Sequence, residues 1–109
     1  MRVAYKVWLD NNGKVFGEGP YRLLKLVEKT GSLHQAAIQM KMSYRKAWRT
    51  LHYIEENLGF ALLDRQVGGV SGGGSQITEN ARELIKHYEQ FREEVKEALE
   101  RIYKKHFEE

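Results

Sequence analysis

The feature that most restricts what this chain can fold into is an apolar seam in its C-terminal third. Ile77, Ala81, Leu84, Tyr88, Phe91, Val95, Ala98 and Ile102 follow one another at intervals of 4, 3, 4, 3, 4, 3 and 4. Only a long, continuous α-helix turns that spacing into a single stripe. Ile85, Leu99 and Tyr103 widen the stripe, and Thr78 stands where the helix needs an N-cap. A helix of about 28 residues extends about 42 Å, at about 1.5 Å per residue. That is longer than the rest of a 109-residue chain calls for. Its distal half therefore needs apolar partners in another copy of the chain. The expected contacts of that homodimer are Leu84, Tyr88, Phe91, Val95, Leu99 and Ile102. The alternative is a helix folded back over its own domain.

Charge divides the chain at the same place. Residues 79–109 carry 7 Lys/Arg against 9 Asp/Glu, while residues 1–78 hold the other 11 basic and 6 acidic side chains, a net of +5. From Lys41 through Tyr53 there are four basic residues and no acidic one. Such a cluster is the footprint expected of a phosphate-binding face, although charge alone is equally compatible with a solvated helix. The acidic tail is not expected to face DNA. Two segments follow: 1–78 as the DNA-binding domain and 79–109 as the dimerisation helix.

Between the termini the pattern is of short elements. Ala4–Leu9 alternates, Asp10-Asn11-Asn12-Gly13 is a turn signal, and Lys14–Gly17 returns, which reads as a small hairpin. A helix starts at Gly19-Pro20, with Pro20 suited to the first helical position, buries Leu23, Leu24 and Val27, and stops at Gly31. Ser32 opens a second helix, and Gln35 completes a capping box. Leu33, Ala36, Ala37 and Met40 form its narrow stripe, whose small residues let another helix cross closely.

After the break at Lys41-Met42, Ser43 caps a third helix that ends at Gly59. Its core stripe is Ala47, Leu51, Ile54 and Leu58, with Arg45, Arg49 and His52 opposite, joined by Lys46. Two helices joined by a tight turn, the second of them basic, make a helix-turn-helix. Ala61-Leu62-Leu63 and Gln76-Ile77 are short strand candidates. The segment between them, Asp64–Ser75, holds half of the chain's ten glycines and reads as a wing whose open amides can approach DNA phosphates. The fold expected is α+β, mostly α: a winged helix-turn-helix followed by a long dimerisation helix.

Gly31-Ser32-Leu33-His34-Gln35-Ala36-Ala37, followed by Met42-Ser43-Tyr44-Arg45-Lys46-Ala47-Trp48, resembles the N-terminal DNA-binding domain of the ModE family. These are molybdate-dependent transcriptional regulators with a LysR-like winged helix. The stretch from Leu62 to Thr78 looks like that family's wing and the entry to its dimer helix. The resemblance implies a dimeric, operator-binding transcription factor. It departs from the family in two places. Val70-Ser71 replaces a lysine usual between the glycine pairs of the wing. The sequence ends at Glu109, before the molybdate-binding domains that the family places after the long helix, so oxyanion sensing is not an expectation that the resemblance alone supplies.

The residues expected to bind double-stranded DNA are Ser32, Gln35, Ser43, Tyr44, Arg45, Lys46, Arg49 and Arg65, with the wing at Gly72 and Gly73. Lys46, Arg65, Ser32, Gln35 and the wing amides position the domain on phosphates, at two helix N-termini that favour anions. Arg45 and Arg49 lie one turn apart and suit guanine in the major groove. Ser43 caps, touches phosphate, or does both. Tyr44 and Trp48 flank the core stripe; either they close the core edge, or Tyr44 also touches the backbone or a thymine methyl. Competing readings are a DNA-binding protein of architectural type with little sequence preference and a dimeric protein-interaction adaptor. An effector or partner protein of unknown identity remains open.

Enzymatic and cofactor readings find little support. Gly69-Val70-Ser71-Gly72-Gly73 matches the letters of a nucleophile elbow but lacks its strand–turn–helix setting; both aspartates precede the serine, and the glutamates and His87 that follow lie on the long helix with no sheet to bring them back. No Gly-Lys-Ser/Thr follows the glycine run, so it is no P-loop. The four histidines have no metal-ligand spacing, and the absence of cysteine excludes disulfides and thiolate sites. No catalytic residue, metal or cofactor is expected. With no apolar run approaching 18 residues and no signal-peptide block, no membrane partner is expected and the cytoplasm is the expected location.

Overall fold

A computed structural model describes residues 1–65 and 74–108. Along the chain these form β1 (Trp8–Asp10), β2 (Lys14–Gly17), α1 (Glu18–Thr30), α2 (Leu33–Gln39), α3 (Tyr44–Leu58), β3 (Leu63–Arg65), β4 (Ser75–Ile77) and α4 (Glu79–Phe107). The strands pair as two separate antiparallel ribbons, β1 with β2 and β3 with β4. The helices supply most of the structure, as expected.

Each boundary has a local cause. At the first hairpin, Asn12 adopts φ 57°, and the Gly13 amide donates to Asp10 Oδ1 at 3.2 Å. The first strand is shorter than expected: only Trp8 and Leu9 of the Ala4–Leu9 run are paired, opposite Gly17 and Phe16. α1 begins two residues before Pro20, at Glu18. Pro20 therefore sits within the first turn rather than at its first position, where its missing N–H still costs no helical bond. Gly31 and Gly59 end α1 and α3 at φ 71° and 81°, backbone angles that side chains with a Cβ seldom adopt. β3 starts at Leu63, two residues later than its apolar run suggested, because Leu62 turns inward and is fully buried.

One core joins all these pieces. Phe16 from β2, Leu23, Leu24 and Val27 from α1, Ala36 and Ala37 from α2, Ala47, Leu51 and Ile54 from α3, and Ala81, Ile85 and Tyr88 from α4 are all buried. Ala36, Ala37 and Ala47 are fully or almost fully buried where the short second helix meets its neighbours, which small side chains permit. Every buried side-chain polar atom among the described residues has a hydrogen-bond partner.

Tyr88 corrects one expectation. The heptad seam predicts a contact between two copies at Tyr88, but the ring is 2% exposed within a single chain. Its ring meets Phe16 edge-on at 5.1 Å and Tyr21 at 5.3 Å, and its hydroxyl reaches Glu18. Leu84 also packs against this core. The first three turns of α4 thus belong to the body of the domain. Beyond them Phe91 and Ile102 are 43% and 50% exposed, and the chain extends to 61 Å along its longest axis.

Replacing Tyr88 by Ala should therefore cost about 3–5 kcal/mol, as for other buried aromatics. Tyr88→Phe should cost at most about 1 kcal/mol, because its hydroxyl makes only a long bond to Glu18. Urea unfolding at one fixed protein concentration distinguishes the two outcomes. Burial first, and then the nearby Glu18 carboxylate, raises the Tyr88 phenol above its ordinary value. Its neutral form is favoured in the fold, so that stabilisation is complete below about pH 10 and is lost as pH rises through the raised value. Alkaline unfolding should accordingly be steeper for the wild type than for Tyr88→Phe.

Candidate nucleic-acid interface

The N-termini of α2 and α3 carry the expected site. Ser32 Oγ accepts the Gln35 amide at 3.1 Å, and Ser43 Oγ accepts the Lys46 amide at 3.0 Å. Both serines are N-caps, and each hydroxyl keeps its own proton to donate. The second half of the expected capping box is absent. The Ser32 amide donates to Thr30 Oγ1 at 3.2 Å instead, so it is Thr30 rather than the Gln35 side chain that closes this end. The Gln35 side chain is left exposed beside the cap.

α3 presents Arg45, Lys46 and Arg49 to solvent while Ala47, Leu51 and Ile54 on its other side are buried. None of the three cations is held by an acidic side chain among the described residues, in contrast to Arg82 and Arg92 on α4, which are paired. Their charge is therefore available to an external anion. The acidic residues of α3 lie at its other end. His52 is stacked on Trp48 with ring centres 4.6 Å apart, and its Nε2 lies 3.1 Å from Glu56. His52 thereby belongs to the acidic end of the helix and not to its cationic end.

Tyr44 and Trp48 behave differently from each other. Trp48 packs against the core, as the edge-closing reading expected. Tyr44 is 44% exposed, with its ring 5.8 Å from that of His34 on α2. His34 was not among the expected site residues. Its position two residues after Ser32, next to a residue that also opens a helix, was the available signal.

The base of the second ribbon is tied to the helix-turn-helix by polar contacts that the sequence did not announce. Glu55 accepts the Leu62 amide at 2.6 Å, Thr78 Oγ1 donates to the Ala61 carbonyl at 2.7 Å, and the Ser75 amide donates to the Gly31 carbonyl at 2.9 Å. Arg65 lies in β3, but its side chain is outside the described atoms, and Gly72 and Gly73 lie outside the described residues. Among the described residues no group of three His, Asp or Glu could hold a metal ion. No helix among the described residues is long and apolar enough to cross a membrane.

Three helices with a two-stranded ribbon after the third, and two capped N-termini beside unpaired cations, define a winged helix-turn-helix of the regulatory type. The family model of the bacterial regulatory helix-turn-helix proteins of the lysR family matches residues 21–82. The chain belongs to that family, whose members are DNA-binding transcriptional regulators and not enzymes. Within it, the chain is similar to ModE proteins. It is 30% identical over 102 residues to the molybdenum transport protein ModE of Azotobacter vinelandii, covering 93% of this chain and 38% of that protein. It is 40% identical over 68 residues to the transcriptional regulator ModE of Haemophilus influenzae, covering 62% of this chain and 27% of that protein. The chain thus spans well under half the length of these relatives and corresponds to a ModE-like N-terminal domain. Among solved structures, the DNA-binding domain of CbnR in its DNA complex superimposes with a TM-score of 0.58 at 19% identity, covering 73% of this chain and 86% of that one.

Each cap should contribute about 1 kcal/mol, so Ser43→Ala should lower stability by about that amount and Ser43→Gly by a few tenths. Chemical denaturation of the two variants checks this.

Proposed function

We propose that this domain binds a specific, pseudo-palindromic operator as a homodimer, in the cytoplasm, with α3 in the major groove. The observation that carries the reading is the unpaired cationic N-terminal half of α3, flanked by two capped helix N-termini. Open amides and uncompensated cations at one place favour phosphate. Arg45 and Arg49, one turn apart, are the base readers, with guanine their preferred partner. Lys46, Ser32, Gln35, Ser43 and Arg65 position the domain on the backbone, and Gly72 and Gly73 bring wing amides close to it. Tyr44 adds a contact at the groove edge.

Residues 1–78 form the reading body in this scheme. Residues 79–109 form the connecting helix, whose first turns are shared with the core. The part of the seam beyond the core, exposed Phe91 and Ile102 with half-buried Val95 and Leu99, supplies the contact between copies, with Leu84 at its margin. Two recognition helices related by a twofold axis meet major grooves about 34 Å apart, one helical turn, or a multiple of that distance.

Selection of bound duplexes from a random pool by the purified chain tests all of this together. The expected product is a pseudo-palindrome with G-containing half-sites; enrichment of no sequence would point to an architectural binder instead. Arg45→Ala and Arg49→Ala should each cost about 1–3 kcal/mol on the selected site and relax preference at one position. Lys46→Ala should weaken binding equally on all sequences and reduce the salt slope by about one. Fluorescence anisotropy across a salt series reads both effects. Absence of duplex binding at about 50 mM salt and micromolar dimer overturns the reading and leaves the adaptor role.

A further inference from the structure

The proposed recognition helix α3 also forms one wall of a cavity. The cavity has a volume of about 430 Å³ and opens between β2, the first turn of α1 and α3. Core side chains make its floor: Val15, Phe16 and Ile54 are 3%, 0% and 2% exposed, so its shape is set by the fold. Pro20 and Tyr53 stand at its sides. Tyr53 is seated against the first hairpin at a place where a side chain on Gly13 would collide with its hydroxyl. Sites for small molecules commonly enclose about 300–1,000 Å³ and combine apolar walls with a few polar groups. This cavity falls at the lower end of that range, which suits one ring or a short branched chain.

The charge of the lining decides what fits. Arg49 is the only ionic side chain among the lining residues, and it has no acidic partner among the described residues. The Thr50 hydroxyl beside it is engaged with the Lys46 carbonyl at 2.8 Å. Other clefts of the chain differ in kind: Glu55 and Asp64 line the one between α3 and β3, and Glu18 lines the one beside Tyr88. An ammonium group would be repelled by Arg49, and a hydrocarbon would leave its charge unanswered. A small inorganic anion would answer the charge but leave the apolar floor in water. An apolar body with one anionic end satisfies both, because the guanidinium holds a carboxylate through two parallel hydrogen bonds while the body covers the floor.

We propose that this cavity binds a small monocarboxylate with an aromatic or branched aliphatic body, its carboxylate on Arg49 and its apolar end over Phe16 and Ile54. The site itself stands apart from the DNA reading, but its consequence rests on that reading. Arg49 is the proposed partner of guanine, and one guanidinium cannot hold a carboxylate at the cavity and a base edge in the groove together. Ligand and operator therefore exclude each other, and the ligand releases the domain from DNA. By linkage, bound duplex weakens the ligand by the same factor.

Benzoate is the probe, with benzamide as its uncharged isostere and acetate as the anion without a ring. In amide NMR spectra of the full chain, millimolar benzoate should shift Gly17, Thr50, Tyr53 and Ile54, and acetate at equal ionic strength should leave them in place. Arg49→Gln should weaken benzoate about tenfold, as loss of a charge-assisted pair does, and leave benzamide unchanged. Arg49 is exposed, so this variant should keep wild-type circular dichroism. No response to benzoate beyond that to acetate overturns the site, and so does equal benzoate affinity in Arg49→Gln. Fluorescence anisotropy with the selected duplex supplies the second arm. Benzoate should displace the duplex, whereas benzamide or acetate at matched ionic strength should not. Benzoate that fills the cavity without changing duplex affinity overturns the exclusion. A chain that binds no duplex even without benzoate fails the DNA reading alone, and the NMR titration still decides the site.

Discussion

The arrangement of this domain depends on the burial of one aromatic ring. Tyr88 sits where β2, α1 and α4 meet, between Phe16 and Tyr21, and it is the largest of the fully buried side chains. Polar contacts add direction to that burial. Glu18 accepts two hydrogen bonds from Arg92, at 2.9 and 3.0 Å, and the Arg92 guanidinium lies 4.6 Å above the Tyr21 ring, while the Tyr21 hydroxyl donates to Glu89. The Arg92–Glu18 pair is half-exposed and contributes less than about 1 kcal/mol, whereas burying the ring contributes about 1.5–3 kcal/mol. The ring therefore holds α4 to the body, and the ion pair sets the angle at which α4 leaves it. Since α1 is locked to α2 and α3 through Leu23, Leu24 and Val27, that angle also fixes where α3 stands relative to the distal half of α4.

How much of this was legible in the sequence depended on the range of the interaction. The caps at Ser32, Ser43 and Thr78, the glycine stops at 31 and 59 and the stripe of α3 are local, within about one helical turn, and they were readable. Tyr88 was placed on the correct helix and face but given the wrong partner. A heptad seam reports that a face is apolar and does not say whether the surface covering it comes from the same chain. Phe16 and Tyr21, more than sixty residues away, had first claim on it. The links at the base of the second ribbon were hidden for a related reason. Glu55 to Leu62 and Thr78 to Ala61 involve a backbone group on one side and Ser75 to Gly31 on both, and backbone groups carry no residue-type signal.

The candidate interface was legible because its chemistry is also local. Arg45, Lys46 and Arg49 follow a cap by two, three and six residues, so helical geometry alone gathers them at one end of α3. His52 was the exception. Its spacing from Arg45 and Arg49 placed it with the cations, yet Glu56 lies one turn ahead of it and Trp48 one turn behind, and both neighbours hold it away from that role. An i,i+4 acid partner competes with the cations for the same side chain, and here His52 Nε2 lies 3.1 Å from Glu56.

The distribution of charge along α3 bears on how deeply this helix can enter a groove. Its cations lie in the first two turns, and Glu55 and Glu56 follow immediately. Glu55 is held by the Leu62 amide and so cannot swing away from an approaching backbone. A duplex lying along the whole of α3 would meet fixed negative charge at its second half, whereas one meeting the N-terminal half gains the cations and the open amides together. The acidic end thus anchors the second ribbon to α3, and in the proposed binding mode its charge would favour contact through the N-terminal turns.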